Sequence, residues 1–200
     1  MVEPIGLDAD SLARPIEWAE LFGNDHSVEM EIGMGKGTFL TEQAAARSDT
    51  NFFGIEWASW YWRYASDRLR RHNCLNVRTV RAEAMFFIRE HVADNSLSVV
   101  HIYFPDPWPK KRHHKRRLIQ ADTLTELARV LVPGGQLRFA SDWADYVDWS
   151  LLRITANPAF RWTAETAADW RVPPADHITT RYEEKRLGDC APVFLDFLRT

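Results

Sequence analysis

SVEMEIGMGKGTFL, Ser27 to Leu40, decides the architecture. Its first six residues read as a strand. Gly33, Gly35 and Gly37 then permit a tight turn and close backbone approach to a ligand. Thr38–Arg47 reads as a helix. Strand, glycine turn and helix together form the opening unit of a nucleotide-binding α/β sheet. A dinucleotide fingerprint would be G-x-G-x-x-G, and here the third glycine comes one residue early. Glu31 stands two residues before the first glycine. A pyrophosphate gains little from that carboxylate, whereas a ligand bearing an ammonium or sulfonium gains more. The loop therefore fits S-adenosylmethionine (SAM) better than a nicotinamide dinucleotide.

The same alternation continues outward. Asn51–Glu56, Asn76–Arg81, Ser98–Phe104 and Gln136–Ser141 read as strands. Helices are predicted over Ser59–Arg71, Ala84–His91, Leu118–Leu131 and Trp143–Thr155, the third stopped by Pro133-Gly134-Gly135. Phe160–Ala164 and Val193–Leu198 read as two last strands, with a short helix between them. Strands alternating with helices argue for a mostly parallel sheet covered on both faces. Right-handed crossovers place the ends of the parallel strands on one rim, where ligands bind. Glu31, Glu56, Glu83, Asp106 and Asp142 each lie at or just after a strand end, so five acids from five loops converge there. Glu56 lies 23 residues after Gly33, where a carboxylate can accept both hydroxyls of a ribose. Glu83 is expected beside the adenine.

The chain has 200 residues, enough for one sizeable domain over 1–200. No apolar run approaches a membrane span, and the N-terminal residues lack the basic-then-apolar pattern of a signal peptide. Cys74 and Cys190 suggest neither a disulfide framework nor a metal site. A cytoplasmic protein is expected, without metal.

HIYFPDPWPKKRHHKRR, His101 to Arg117, carries the second signal. Asp106 sits among three prolines and Trp108, and six Lys/Arg follow within eight residues. Removing those six cations takes the net charge from −3 to −9. A basic patch on an acidic body suggests a polyanion docked in one place. If all six met phosphates, log K would fall with log salt at a slope of roughly −4 to −5. The bland alternative is a solvated helix N-terminus, which the helix macrodipole opposes. Trp108 either stacks on a base or fills the core. Asp142 is either a site residue or the N-cap of the following helix. Thr180–Arg186 reads as a charged amphipathic helix if it has no role at the site.

Glu31-Ile-Gly-Met-Gly, Phe53-Gly-Ile-Glu56, Phe104-Pro-Asp-Pro-Trp-Pro-Lys110 with its basic continuation, Ser141-Asp142-Trp143 and Thr180-Arg-Tyr-Glu183 resemble, in order, the bacterial tRNA (guanine-N7)-methyltransferases. The glycine motif is common among methyltransferases; the F-P-D-P-W-x-K and T-[KR]-[FY]-E signatures are far more specific. The resemblance implies a class I methyltransferase (Rossmann-like) fold, with a seven-stranded sheet whose last strand is antiparallel. It implies methyl transfer from SAM to guanine N7 in tRNA, typically position 46 of the variable loop. It implies SAM binding by Glu31, Glu56 and Glu83 with Gly33, Gly35 and Gly37, and Asp106 as the central acid. Lys110, Asp142, Thr180, Arg181, Tyr182 and Glu183 are implied to contact the substrate. Lys111, Arg112, Lys115, Arg116 and Arg117 are read as phosphate contacts, and no obligatory protein partner is expected. The rival readings are a SAM-dependent methyltransferase acting on another RNA and a non-catalytic RNA-binding module.

Overall fold

Two separate apolar cores sit on the two faces of one sheet, and the period-two pattern of the strands assigns residues to each. The computed structural model describes residues 5–200, the side chain of Arg181 excepted. The strands are β1 (Gly6–Leu7), β2 (Ser27–Ile32), β3 (Thr50–Glu56), β4 (Val77–Arg81), β5 (Leu97–Tyr103), β6 (Leu131–Ser141), β7 (Phe160–Trp162) and β8 (Val193–Arg199). Their order is β1-β4-β3-β2-β5-β6-β8-β7. All pairings are parallel except β6 with β8 and β7 with β8. The expected mostly parallel sheet with an antiparallel last strand is present, but among the described residues it has eight strands rather than seven. The extra one, β1, is two residues long and pairs with β4 at the sheet's edge.

The helices are α1 (Trp18–Phe22), α2 (Thr38–Ala46), α3 (Ser59–Arg71), α4 (Ala84–His91), α5 (Ala121–Val130), α6 (Ala144–Thr155), α7 (Ala168–Arg171) and α8 (Arg181–Glu184). On one face Met30, Ile32, Phe53 and Ile55 pack with Phe87 and Ile88 of α4, Leu124 and Leu127 of α5, and Tyr146 of α6. On the other, Phe52 and Val77 pack with Phe39 and Leu40 of α2 and Ala65 and Leu69 of α3. Glu29 and Glu31 alternate with Met30 and so point to this second face. The helix predicted from Leu118 begins only at Ala121. The Gln120 side chain donates to the carbonyls of His114 and Arg117, holding the preceding turn apart from the helix. The strand predicted from Gln136 starts earlier, at Leu131, which pairs with Leu97 across a register shift. No helix among the described residues is long and apolar enough to cross a membrane.

Candidate active site

Glu31 is the penultimate residue of β2, between two neighbours, Gly54 on β3 and His101 on β5. It is 4% exposed, and its Oε2 has no hydrogen-bond partner. Burial, with the nearby Glu56 charge added, pushes its carboxyl up to about 8. A buried, orphaned acid at a strand end is costly unless a ligand supplies its partner. The missing side chain of Gly54 lets Met34 and Leu40 pack close to the sheet beside it: a Cβ there would lie 2.5 Å from Met34 Sδ and 2.6 Å from Leu40 Cδ1.

The glycine loop is built on the left-handed backbone that its sequence allows. Gly33, Gly35 and Gly37 have φ of 78°, 53° and 68°. Open space lies above Gly33 and Gly35, whereas a Cβ on Gly37 would press on Ala65 of α3 at 3.0 Å. Glu56 braces the loop: its Oε2 accepts from Gly35 N (3.0 Å) and its Oε1 from Ala58 N (2.8 Å). Glu83 is exposed and caps α4, accepting from the backbone N–H groups of Met85 and Phe86. An orphan carboxylate for a cation, an open glycine cradle and a braced acid after β3 are the features a SAM site needs. The residues present therefore fit that cofactor.

The Asp106 loop follows β5. Phe104 and Trp108 bracket it with positive φ, 49° and 44°, a conformation rare for aromatic residues and costing about 1–3 kcal/mol each. Phe104 is held by its N–H on the Ala140 carbonyl (2.8 Å) and by packing on Ala140 and Phe194. Between them Asp106 is exposed, with no hydrogen bond or ion pair among the described residues. Trp108 does not fill the core: it is half-buried, under the Arg116 guanidinium at 4.8 Å and edge-on to His113.

The basic run forms a 3-10 turn, Lys111–Arg116, not the first turn of a helix. Lys110, Lys111, Arg112, Lys115 and Arg116 are exposed on it. Arg117 departs from the expected phosphate role: it is 2% exposed. Its Nε donates to Pro107 O (2.9 Å), its guanidinium pairs with Asp145, and it lies over the Tyr146 and Trp149 rings. It ties the Asp106 loop to α6. The signal in the sequence is the apolar Leu118-Ile119 that follows and the Asp145-Tyr146 pair on α6. Arg117→Ala is expected to destabilise the fold by about 1–3 kcal/mol, the cost of stranding buried partners. Arg112→Ala is expected to stay within about 0.5 kcal/mol of the parent. Urea unfolding of both variants checks the contrast.

Asp142 is not the N-cap of α6; Trp143 holds that position. Asp142 is buried, its Oδ2 accepts from Gly188 N (2.9 Å), and its Oδ1 has no partner. Gly188 lies so close that any Cβ there would collide with the Asp142 backbone.

The segment leading to the C-terminal signature is pinned to β6 and α2. Asp176 pairs with Arg138 of β6 (2.5 Å), and its carbonyl accepts from Gln43 of α2 (2.6 Å). His177 packs on Tyr103 and Phe194, and its Nε2 meets the Glu183 carboxylate at 2.9 Å. Thr180 and Glu183 form a reciprocal capping box on α8. Tyr182 then reaches Phe104, with ring centroids 5.6 Å apart. Burial pushes its phenol above the ordinary range, against a lowering contact with Trp143, and the charges of Asp142 and Asp106 add to the rise. Asp142, Thr179, Glu183 and Gly188 line one cleft of about 730 Å³. The Arg181 side chain lies outside the described residues. Two groups escaped the sequence reading, His177 and Gly188; each is fixed by partners remote in sequence or by close backbone packing that no spacing announces.

A buried network supports the strand ends. Arg47 grips Glu29 through two hydrogen bonds (2.7 and 2.8 Å), Glu29 meets His101 Nε2 (2.9 Å), and His101 Nδ1 meets Tyr103 OH (2.9 Å). Burial opposes ionisation of Glu29, but its hydrogen bonds to His101 and Arg47 win and hold its carboxyl near about 2.

A family model described as "Putative methyltransferase" matches residues 25–194. The tRNA (guanine-N(7)-)-methyltransferase of Caulobacter vibrioides is 45% identical over 185 residues, covering 92% of this chain and 81% of that protein. Its counterpart from Hyphomonas neptunium is 40% identical over 183 residues, covering 92% and 83%. Among solved structures, an antibiotic-related methyltransferase superposes with a TM-score of 0.61 at 16% identity, covering 100% of this chain and 96% of that one. That last likeness speaks to the fold alone, which is the class I methyltransferase fold expected from the motifs. The sequence relatives go further: the chain belongs to the tRNA (guanine-N7)-methyltransferase family, and its cofactor is SAM.

Proposed function

We propose that this chain methylates N7 of guanine in tRNA, at position 46 of the variable loop. The observation that carries the reading is the uncommitted Asp106 on a stiffened loop, followed at once by five exposed cations, on the rim that holds the orphaned Glu31. A non-catalytic RNA-binding module has no use for that buried acid. The substrate named for the relatives in Caulobacter and Hyphomonas points the same way.

Guanine N7 has an in-plane lone pair and no proton to lose, so no general base is needed at that atom. Bound SAM supplies an electrophilic methyl group. Glu31 would face the cofactor's positive charge, Gly33, Gly35 and Gly37 would let it approach the backbone, and Glu56 would take its ribose, with Glu83 bordering the site as the cap of α4. Positioning and electrostatics then carry the rate. Attack leaves positive charge on the imidazole part of the guanine, and the Asp106 carboxylate stabilises it. Asp106 and the free Oδ1 of Asp142 can also accept from the N1–H and N2–H₂ edge, which adenine lacks. Thr180, Tyr182 and Glu183 close the substrate side, and Arg181 belongs to the same signature. A reaction on tRNA is in keeping with a cytoplasmic protein.

Lys110, Lys111, Arg112, Lys115 and Arg116 take phosphates. With Arg117 turned inward, five cations remain. The slope of log K against log salt is then expected at roughly −3.5 to −4.5, measured by filter binding of tRNA at several salt concentrations. The reading itself is tested by transfer of label from SAM to unmodified tRNA: incorporation into tRNA supports it, and incorporation only into another RNA overturns it.

A further inference from the structure

We infer that the exposed aromatic face of α3 is a second RNA-contact surface, on which an unpaired nucleotide of the RNA substrate stacks. This rests on the proposed function. Trp60 and Tyr61 are 60% and 42% exposed, unusual for side chains of that size. Trp60 and Tyr64 lie one helical turn apart and stack, with centroids 5.5 Å apart and planes inclined by 24°. Tyr61 stands edge-on to Trp60 at 5.1 Å. Lys36, from the glycine loop, places Nζ 5.4 Å over the Trp60 ring and 5.5 Å over that of Tyr64. Arg63 is exposed on the same helix, three residues from Trp60.

The charge of this face selects its partner. The first turn of α3 has no acid. Asp67, the one acid of the helix, is taken by Arg70 and Arg71. Aromatic π-faces interleaved with cations suit bases and phosphates together, the pattern of single-strand binding surfaces. Because protein interfaces are rich in Trp, Tyr and Arg as well, the choice of RNA rests on where this face lies.

Position supports the same occupant. α3 follows β3, and the Asp106 loop follows β5, with only β2 between those strands. At about 4.8 Å per strand, the two strand ends are roughly 10 Å apart on one rim. The basic turn after Asp106 and the α3 face therefore flank the cofactor loop. A strand held by both surfaces bridges the site. Trp57 directly follows Glu56 and lies under the Arg81 guanidinium, which stands 6.0 Å from the indole centroid.

The test compares wild type, Trp60→Ala, Trp60→Ala with Tyr61→Ala, and Trp60→Phe. Readouts are tRNA Kd by filter binding, SAM Kd by calorimetry, and kcat and KM for tRNA. Loss of a stacked base by alanine substitution is expected to weaken tRNA binding about tenfold. SAM Kd and kcat are expected to stay unchanged, and Trp60→Phe to retain most of the affinity. Unchanged tRNA binding in the double variant, with wild type methylating tRNA normally, overturns the inference and leaves the function standing. A wild-type protein that neither binds nor methylates tRNA overturns the function and this surface's ligand with it. Self-association lost in Trp60→Ala at unaltered tRNA affinity assigns the face to a second copy and also overturns the inference.

Discussion

Replacing Asp106 by asparagine is expected to slow methyl transfer by about 10²- to 10³-fold, the usual cost of removing one preorganised electrostatic group from an active site. SAM affinity is expected to be unchanged, because the cofactor residues lie at or just after the ends of β2, β3 and β4 and Asp106 lies after β5. Stability is expected to be unchanged too, since Asp106 is exposed and makes no hydrogen bond or ion pair among the described residues. That combination separates a chemical role from a structural one. Asparagine keeps shape and one acceptor but loses the charge, so the loss should appear in kcat rather than in KM for tRNA. Single-turnover transfer, with SAM calorimetry alongside, checks it. A variant with full rate would remove Asp106 from the mechanism.

The second large effect concerns Glu31. Glu31→Gln is expected to weaken SAM binding by about 10- to 150-fold, from the roughly 1.5–3 kcal/mol of a hydrogen bond to a charged group. The same substitution should stabilise the cofactor-free fold at alkaline pH. Glu31 is held at about 8 in the fold, against 4.5 as the ordinary value. Between those values the folded chain keeps a proton that the unfolded chain has lost. Stability therefore falls as pH rises from about 4.5 to about 8, and glutamine removes that slope. Urea midpoints of the parent and the variant should diverge across the window. Binding of a cationic ligand favours the carboxylate, so SAM affinity should rise with pH up to about 8 with release of a proton. Calorimetry in two buffers of different ionisation enthalpy reads that proton directly.

The glycine spacing with Glu31 and the apolar run of β5 were legible because each follows from local chemistry. Left-handed turns favour glycine, and a strand buried on both faces reads as continuous apolar sequence. β1 was not legible: two residues give no period, and the strand exists only because β4 offers an open edge. Arg117 shows a different limit. Six adjacent cations look equivalent in sequence, yet one is turned inward by Asp145, Tyr146 and Trp149, residues of a helix that begins 27 positions later. His177 is similar, since its value lies in Tyr103, Phe194 and Glu183, which only the folded chain assembles. Asp142 follows β6 at the rim, and it does not cap α6, because Trp143 holds that position while one carboxylate oxygen of Asp142 accepts from Gly188 N.

The measurement that bears most directly on the whole account is the mapping of the methylated atom. Unmodified tRNA is incubated with the protein and SAM, then reduced with borohydride and cleaved with aniline, which cuts at N7-methylguanine. A parallel substrate carries 7-deazaguanine at the target position, where the attacking lone pair is absent. The account predicts a single cut in the variable loop and no methyl incorporation into the 7-deaza substrate. Incorporation into the 7-deaza substrate, or methylation without a cut, would show attack at another atom and contradict it.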